Sequence, residues 1–245
     1  MAQLYPVAGA KLDIGPAVNS VPDDVDMVAG LFTSTVFTEM KGWQTMGSVG
    51  DAAALITEAV ISSGRDLKAK GTKNAGSMQN NFIVLPADVG QIALIAASQT
   101  PYNYPFRIRF DDAPPPKVSV VTVTIAAPGV FSWTAHGLVA GTPIKFSTTG
   151  ALPTGITAGT TYYVVNPTTD AFSVAATVGG AAITTTGTQS GIHTATTIPT
   201  GTVKYFYGIV MSANEQGGGA NTARLLQGNI EINSAVITVA PIGGA

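Results

Sequence analysis

The side chains that could do chemistry in this 245-residue sequence are few and poorly grouped. Cysteine is absent, which removes disulfides, thiolate zinc sites and a cysteine nucleophile. The two histidines are His136, in the run Ala135-His136-Gly137-Leu138, and His193; both read as turn or loop residues. No Gly-x-Ser-x-Gly elbow, Walker-type loop or strand-linked Gly-x-Gly-x-x-Gly is present. Gly217-Gly218-Gly219 reads as a hairpin tip, not a phosphate cradle, because no helix pattern follows it. Asp23, Asp24 and Asp26 lack the glycine and distal glutamate of a calcium loop. Asp111 and Asp112 run straight into Ala113 and a proline run. Both acid groups read as solvated loop carboxylates or as contacts for basic groups on a neighbour. The sequence therefore predicts no catalytic, cofactor-binding or metal-ligating residue, no cofactor, and no enzyme.

Charge is informative in two other places. Gly64 to Ser77 holds Arg65, Lys68, Lys70 and Lys73, with Asp66 as its one acid. A solvated flexible loop, a nucleic-acid contact and a protein contact all fit. Without interleaved aromatics, phosphate attraction is the weaker of these readings. Asp23, Asp24 and Asp26 make a natural complement on an identical neighbour. The second place is Arg107 and Arg109, which alternate with Phe106, Ile108 and Phe110 and predict a strand with one apolar and one basic face. They are expected to pair with acids such as Glu231 or with acids on a neighbouring subunit.

The elements that would carry these residues are mostly strands. Val203 to Val210 is apolar on nearly both faces and reads as a central strand. Ile230 to Asn233 alternates, then the phase shifts near Ser234 before Ala235 to Val239, which calls for a bulge or sharp bend. Asp51 to Ser62 suits helix at its alanine-rich start and strand later, with strand preferred. One helix is expected: Asp88 caps it, Gln91 completes a capping box, and Val89, Ile92, Ala93 and Ala96 form its apolar stripe. Leu94 and Ile95 on the other side predict burial of more than one face.

Composition divides the chain. Overall only 11% of residues are charged, against about 25% in an average soluble protein. Such a surface is better explained if much of it is covered by other subunits. The net charge of −2 lacks the basic bias of a dedicated nucleic-acid binder. Between Lys117 and Thr200 the only charges are Lys117, Lys145 and Asp170, and Thr, Ala and Gly dominate. Pro114-Pro115-Pro116 and Ile198-Pro199-Thr200-Gly201 border this stretch. Residues 117–200 are thus expected to be a small all-β domain inserted into a core of 1–116 and 201–245. Its expected strands are Ser119 to Ile125, Val130 to Trp133, Pro143 to Ser147, Tyr162 to Asn166 and Ala171 to Ala175. Met1 to Leu12 lacks the basic segment and apolar core of a signal peptide, and no apolar run nears the roughly 20 residues of a membrane span, so a soluble compartment is expected.

In order along the chain, several of these segments resemble the tail tube family of long-tailed bacteriophages. They are Trp43 with Val49-Gly50-Asp51, Gly64-Arg65-Asp66, Lys70 to Gly76, the helix with Asp88, Gln91, Ala93, Leu94, Ala96 and Ala97, then Tyr104 to Phe110, Tyr205 to Met211 and Gly228 to Val239. The insert is similar to a small β module of phage structural proteins, through Val130 to Leu138, Gly141-Thr142-Pro143, Ala151-Leu152-Pro153 and Thr161 to Val165. The resemblance implies a mainly β fold, a tail-tube-like β-sandwich with one flanking helix. It implies a structural virion protein of the tail, assembled in the host cytoplasm as stacked, hexameric rings that conduct DNA without binding it specifically. Its partners would be itself, the tape measure protein, the tail terminator and the tail tip or baseplate proteins. On this reading Arg65, Asp66, Lys68, Lys70, Lys73, Asp23, Asp24, Asp26, Arg107 and Arg109 serve assembly, and the insert projects outward from a non-contractile tail. The alternatives are the inner tube of a contractile tail or secretion system, and a carbohydrate- or host-binding module with Trp133, Tyr162 and Tyr163 as a sugar platform.

Overall fold

The structure, a computed structural model, describes residues 4–244; residues 1–3 and 245, at the ends of the expected core and signal-free N-terminus, lie outside it. The chain is mainly β, as its alternating runs predict. In order it forms β1 (Lys11–Ile14), β2 (Thr38–Met40), β3 (Trp43–Thr45), β4 (Ala52–Glu58), β5 (Leu67–Asn74), β6 (Ser77–Ile83), α1 (Val89–Ala97) and β7 (Tyr104–Arg109). Next come β8 (Val118–Val123), β9 (Phe131–Ser132), β10 (Pro143–Thr148), β11 (Thr161–Val165), β12 (Ala171–Ala175) and β13 (His193–Thr197). The chain closes with β14 (Val203–Gln216), β15 (Leu225–Ile232) and β16 (Ile237–Val239).

Two compact units result. The first comprises residues up to 110 together with 203–239; the second comprises 111–202 together with the chain from Ala240. The segment after Ala240, which the sequence assigned to the core, belongs to the second unit. Thr200 bridges Ile242, Pro116 bridges Gly244, and the Thr197 hydroxyl donates to the Gly243 carbonyl.

The first unit is built on an antiparallel sheet in the order β2-β1-β7-β14-β15-β6-β3, with β16 also on β14. β15 pairs with β14 from Gly208 onward and β16 pairs with it at Val203 to Tyr205, so the phase shift near Ser234 is a bend between two strands on one side of β14. The Ser234 hydroxyl accepts the Tyr207 N–H and Asn233 N–H donates to the Tyr207 carbonyl, which fixes that bend. One sheet face carries Leu12, Ile14, Met78, Phe82, Phe106, Ile108, Phe206 and Ile230 into a core closed by Leu94 and Ala97 of α1. On the opposite face, Met27 and Phe32 pack with Tyr207, and Phe32 stacks on Tyr205 at 4.8 Å.

The helix exists where its cap predicts, but it faces the other way. Asp88 accepts from Gln91 N–H at 2.9 Å, while Gln91 does not return the bond. Its side chain instead donates to the Lys41 and Ile83 carbonyls and accepts from Leu85 N–H. Gly90, Gln91, Leu94 and Ala97 are the buried residues, whereas Val89 is 66% and Ile92 53% exposed. The reason is close approach: a Cβ at Gly90 would collide with the Glu39 carbonyl, so only the glycine side of α1 can lie on β2.

The second unit is a closed barrel in the order β10-β11-β12-β9-β8-β13. Five of its strands fall at the expected runs; β13, rich in threonine, has no apolar run to announce it. Phe131 stacks between Phe146 (4.4 Å) and Phe172 (5.6 Å), surrounded by Ile144, Val164 and Val174.

Candidate functional site

β4 and β5 pair only with each other, from Ala52↔Asn74 to Glu58↔Leu67, as a separate two-stranded sheet. Within Asp51 to Ser62, Ala52–Glu58 is a strand, as preferred, and the run ends in a turn at Ile61 and Ser62; the basic stretch is largely a strand too, not a loop. Every residue of β4 is exposed, and in β5 only Gly71 is partly covered. Leu55 is 68% and Leu67 60% exposed, and Ile61 is fully so. Two strands alone are marginally stable in water at best. Burying each such Leu or Ile side chain is worth about 1.5–3 kcal/mol.

The ribbon has two chemically different faces, and a bulge creates them. Lys68 opposes Thr57, Lys70 opposes Leu55, and after a register shift Lys73 opposes Ala53. In a regular strand, residue 73 would point away from 68 and 70. The extra residue on β5 brings all three lysines to one face. Ile56 with Ala69, and Glu58 with Leu67, take the other. None of these lysines makes an ion pair within the described residues. Arg65 and Asp66 lie in the turn before β5, where the Arg65 N–H donates to Ser63 Oγ.

Asp24 to Asp26 form a single 3-10 turn, closed by Asp26 N–H donating to the Asp23 carbonyl. Asp24 Oδ1 accepts from Ala235 N–H at 3.1 Å, and this ties the turn to the bend after β15. Met27 and Phe32 anchor the segment below, while Val25 (89% exposed) faces outward between the acids, with Val28 exposed just after them. Asp24, Asp51 and Lys73 line one open cleft of about 420 Å³ with Asn74, Asn233 and Ser234. Lys73 thus sits near the acidic turn of its own chain. Lys68 lies five residues along the strand from it, about 16 Å away at roughly 3.3 Å per residue.

Arg107 and Arg109 are not partners of Glu231: within the chain their partner is Asp13. β1 and β7 pair with Asp13 opposite Arg107. Arg107 Nε reaches Asp13 Oδ2 at 2.7 Å, and Arg109 grips the same carboxylate with Nε at 2.8 Å and Nη2 at 2.7 Å. Arg109 also meets Glu39 at 3.3 Å, and Arg107 lies 4.5 Å over the Phe37 ring. The hydrogen bond to Asp13 leads the causes that raise the Arg109 pKa further. Glu231 is on β15, two strands removed. The missed residue is Asp13, and its signal was the alternation Leu12-Asp13-Ile14, which places one carboxylate opposite a basic strand face.

The remaining chemical residues serve the fold. His136 is a loop residue, as expected, but a buried one; its Nδ1 accepts from Leu138 N–H at 2.9 Å and its ring meets Phe172 edge-on. His193 lies on β13 between Thr148 Oγ1 and Gln189 Oε1. Asp112 accepts both Thr202 N–H and its hydroxyl at 2.6 Å. Desolvation pushes its pKa up, but these bonds outweigh it and the net shift is downward. Tyr162 is buried, with its hydroxyl accepting from Thr157 N–H, so it offers no stacking surface beside Trp133. Among the described residues no group of three or more metal-ligating side chains converges, and no helix is long and apolar enough to cross a membrane. Comparison with known protein-family models and with curated proteins finds no match.

Proposed function

We propose that this chain is a structural subunit that polymerises with itself into the tail tube of a long-tailed phage. The observation that carries the reading is the β4–β5 ribbon, which exposes a lysine face and a face with Ile56 and Leu67, both left open over nearly their whole length among the described residues. The acidic turn, with Val25 exposed between Asp24 and Asp26 and Val28 just after them, is its complement in charge and in apolar character. The far end of the ribbon extends away from the acidic turn of its own chain, so the match is made between copies. A contact between two different patches of identical subunits is heterologous; repeated, it generates rings or open stacks. Stacked rings are one such assembly; the count of six subunits and a channel that passes DNA without reading it are what the resemblance to tail tubes adds. A subunit with only 11% charged residues suits a surface largely covered in the assembly.

In such a tube the tape measure, terminator and tip proteins are the partners at the lumen and at the two ends. Negative-stain electron microscopy of fresh and aged concentrated protein tests the reading, alongside sedimentation over a range of concentrations. Rings or hollow tubes of uniform width are expected. A chain that stays monomeric throughout overturns it.

A further inference from the structure

On the sheet face opposite α1, strands β14, β15 and β6 carry two cross-strand rows of side chains. Ser212 stands opposite Asn229 and Asn229 opposite Gln79; Asn214 stands opposite Gln227 and Gln227 opposite Asn81. All six are amides or hydroxyls, all are partly or fully exposed, and they border an open concavity of about 370 Å³ that no charged side chain lines.

A single register shift produces this composition. Val210 pairs with Ile230, but Ser212, not Met211, pairs with Asn229, so Met211 is an extra residue in β14. Without it, Met211, Ala213 and Glu215 would point to this face. With it, Ser212, Asn214 and Gln216 do, while Ala213 packs against the core on the other side. The bulge therefore takes Met211 and Glu215 off this face, although both stay exposed, and puts neutral hydrogen-bonding groups in their place.

We infer that this amide face lines the channel of the tube and is the surface past which duplex DNA slides. The inference rests on the tube reading above and adds which face turns inward. Duplex DNA presents one negative charge about every 1.7 Å, so a lysine-bearing wall gains affinity by releasing counterions and holds its cargo. The ribbon carries Lys68, Lys70 and Lys73, the exposed side of α1 carries Val89, Ile92 and Ile95, and the acidic turn carries Val25. Glu231, two residues beyond Asn229 on β15, and the acidic turn lie on the same side of the sheet, but the concavity itself is lined by neutral hydrogen-bonding side chains and is the one of these four patches both hydrophilic and uncharged. Its side chains present hydrogen-bonding partners to water, so a hydrated polyanion passes without an ionic contact.

The natural absence of cysteine makes the test direct. Gln227→Cys and Asn229→Cys are each assembled, then treated with a small maleimide or with a maleimide carried on a folded protein; Val178→Cys, on the exposed surface of the barrel unit, is the control. The expected result is that tubes react with the small reagent and lose reaction with the bulky one, while unassembled subunits react with both. Tubes that react equally with both reagents place the face outside and overturn the inference. Tubes that exclude both reagents bury it in a subunit contact and also overturn it. If the unsubstituted protein forms no tubes, the tube reading itself falls and the inference with it.

Discussion

The barrel of β8–β13 and the ribbon of β4 and β5 are both antiparallel β-structure, and they solve the problem of the strand edge in opposite ways. The barrel closes on itself, so its edges vanish and its alternating residues fill an interior around Phe131, Phe146 and Phe172. The ribbon has two open edges and no interior, and its Leu and Ile side chains meet water. One region carries its stability within itself; the other stays exposed on both faces, as the proposed contact between copies requires. Mutations should therefore separate folding from assembly.

The largest effect on folding is expected in the barrel. Phe131→Ala should lower the stability of that unit by about 3–5 kcal/mol through the cavity between its two ring partners. Urea denaturation followed by tryptophan emission measures this through Trp133, and an unchanged midpoint would contradict the packing described. Next comes Asp13→Ala, which strands two guanidinium groups. The cost should be about 3 kcal/mol, at the low end for a broken buried pair, because both arginines reach solvent. Calorimetry of the intact chain reads that loss in the first unit.

On the ribbon the balance reverses. Replacing Lys68, Lys70 and Lys73 with Glu should move the melting of the subunit by no more than about 0.5 kcal/mol, as exposed charges usually do. The same change should abolish tubes in electron micrographs. Combining it with Asp23, Asp24 and Asp26→Lys should restore them; failure of that rescue with a folded subunit would break the proposed complement. Removing the barrel unit should change least. Excising residues 111–202 with a short linker and ending the chain at Val239 should leave tube formation intact. Deleting only 117–200 leaves the segment from Ala240 without Thr197 and Thr200, its partners, and should produce a more aggregation-prone subunit by light scattering.

Much of this was legible in the sequence where one local rule dominates. Asp88 announces the helix, alternation announces β7 and the barrel strands, and the phase break near Ser234 announces the bend. What stayed hidden depends on the partner strand. The side of α1 that packs is chosen by Gly90 against Glu39, and a hydrophobic stripe carries no information about that approach. Lys73 joins Lys68 and Lys70 only through a register shift, and Met211 is set aside by another. Asp13 became visible as the anchor of Arg107 and Arg109 only once β1 was laid beside β7. The residues proposed for assembly were picked by type while their grouping stayed hidden, and the amide face could not be drawn before the strand order was known.

The strand order also sets a schedule for synthesis. β14 sits at the centre of the first unit, between β7 and β15, yet it is translated only after the whole run from 111 to 202 has been made. A nascent chain emerging at about 5–20 residues per second holds β1, β2 and β7 without their central strand for several seconds. In that interval the barrel strands β8–β13 are complete while the sheet is not. If chains assemble as proposed, the acidic turn, tied to Ala235 and packed through Phe32 on Tyr205 and Tyr207, is complete only once residues 203–239 have left the ribosome, which would hold back contacts between neighbouring chains on one messenger.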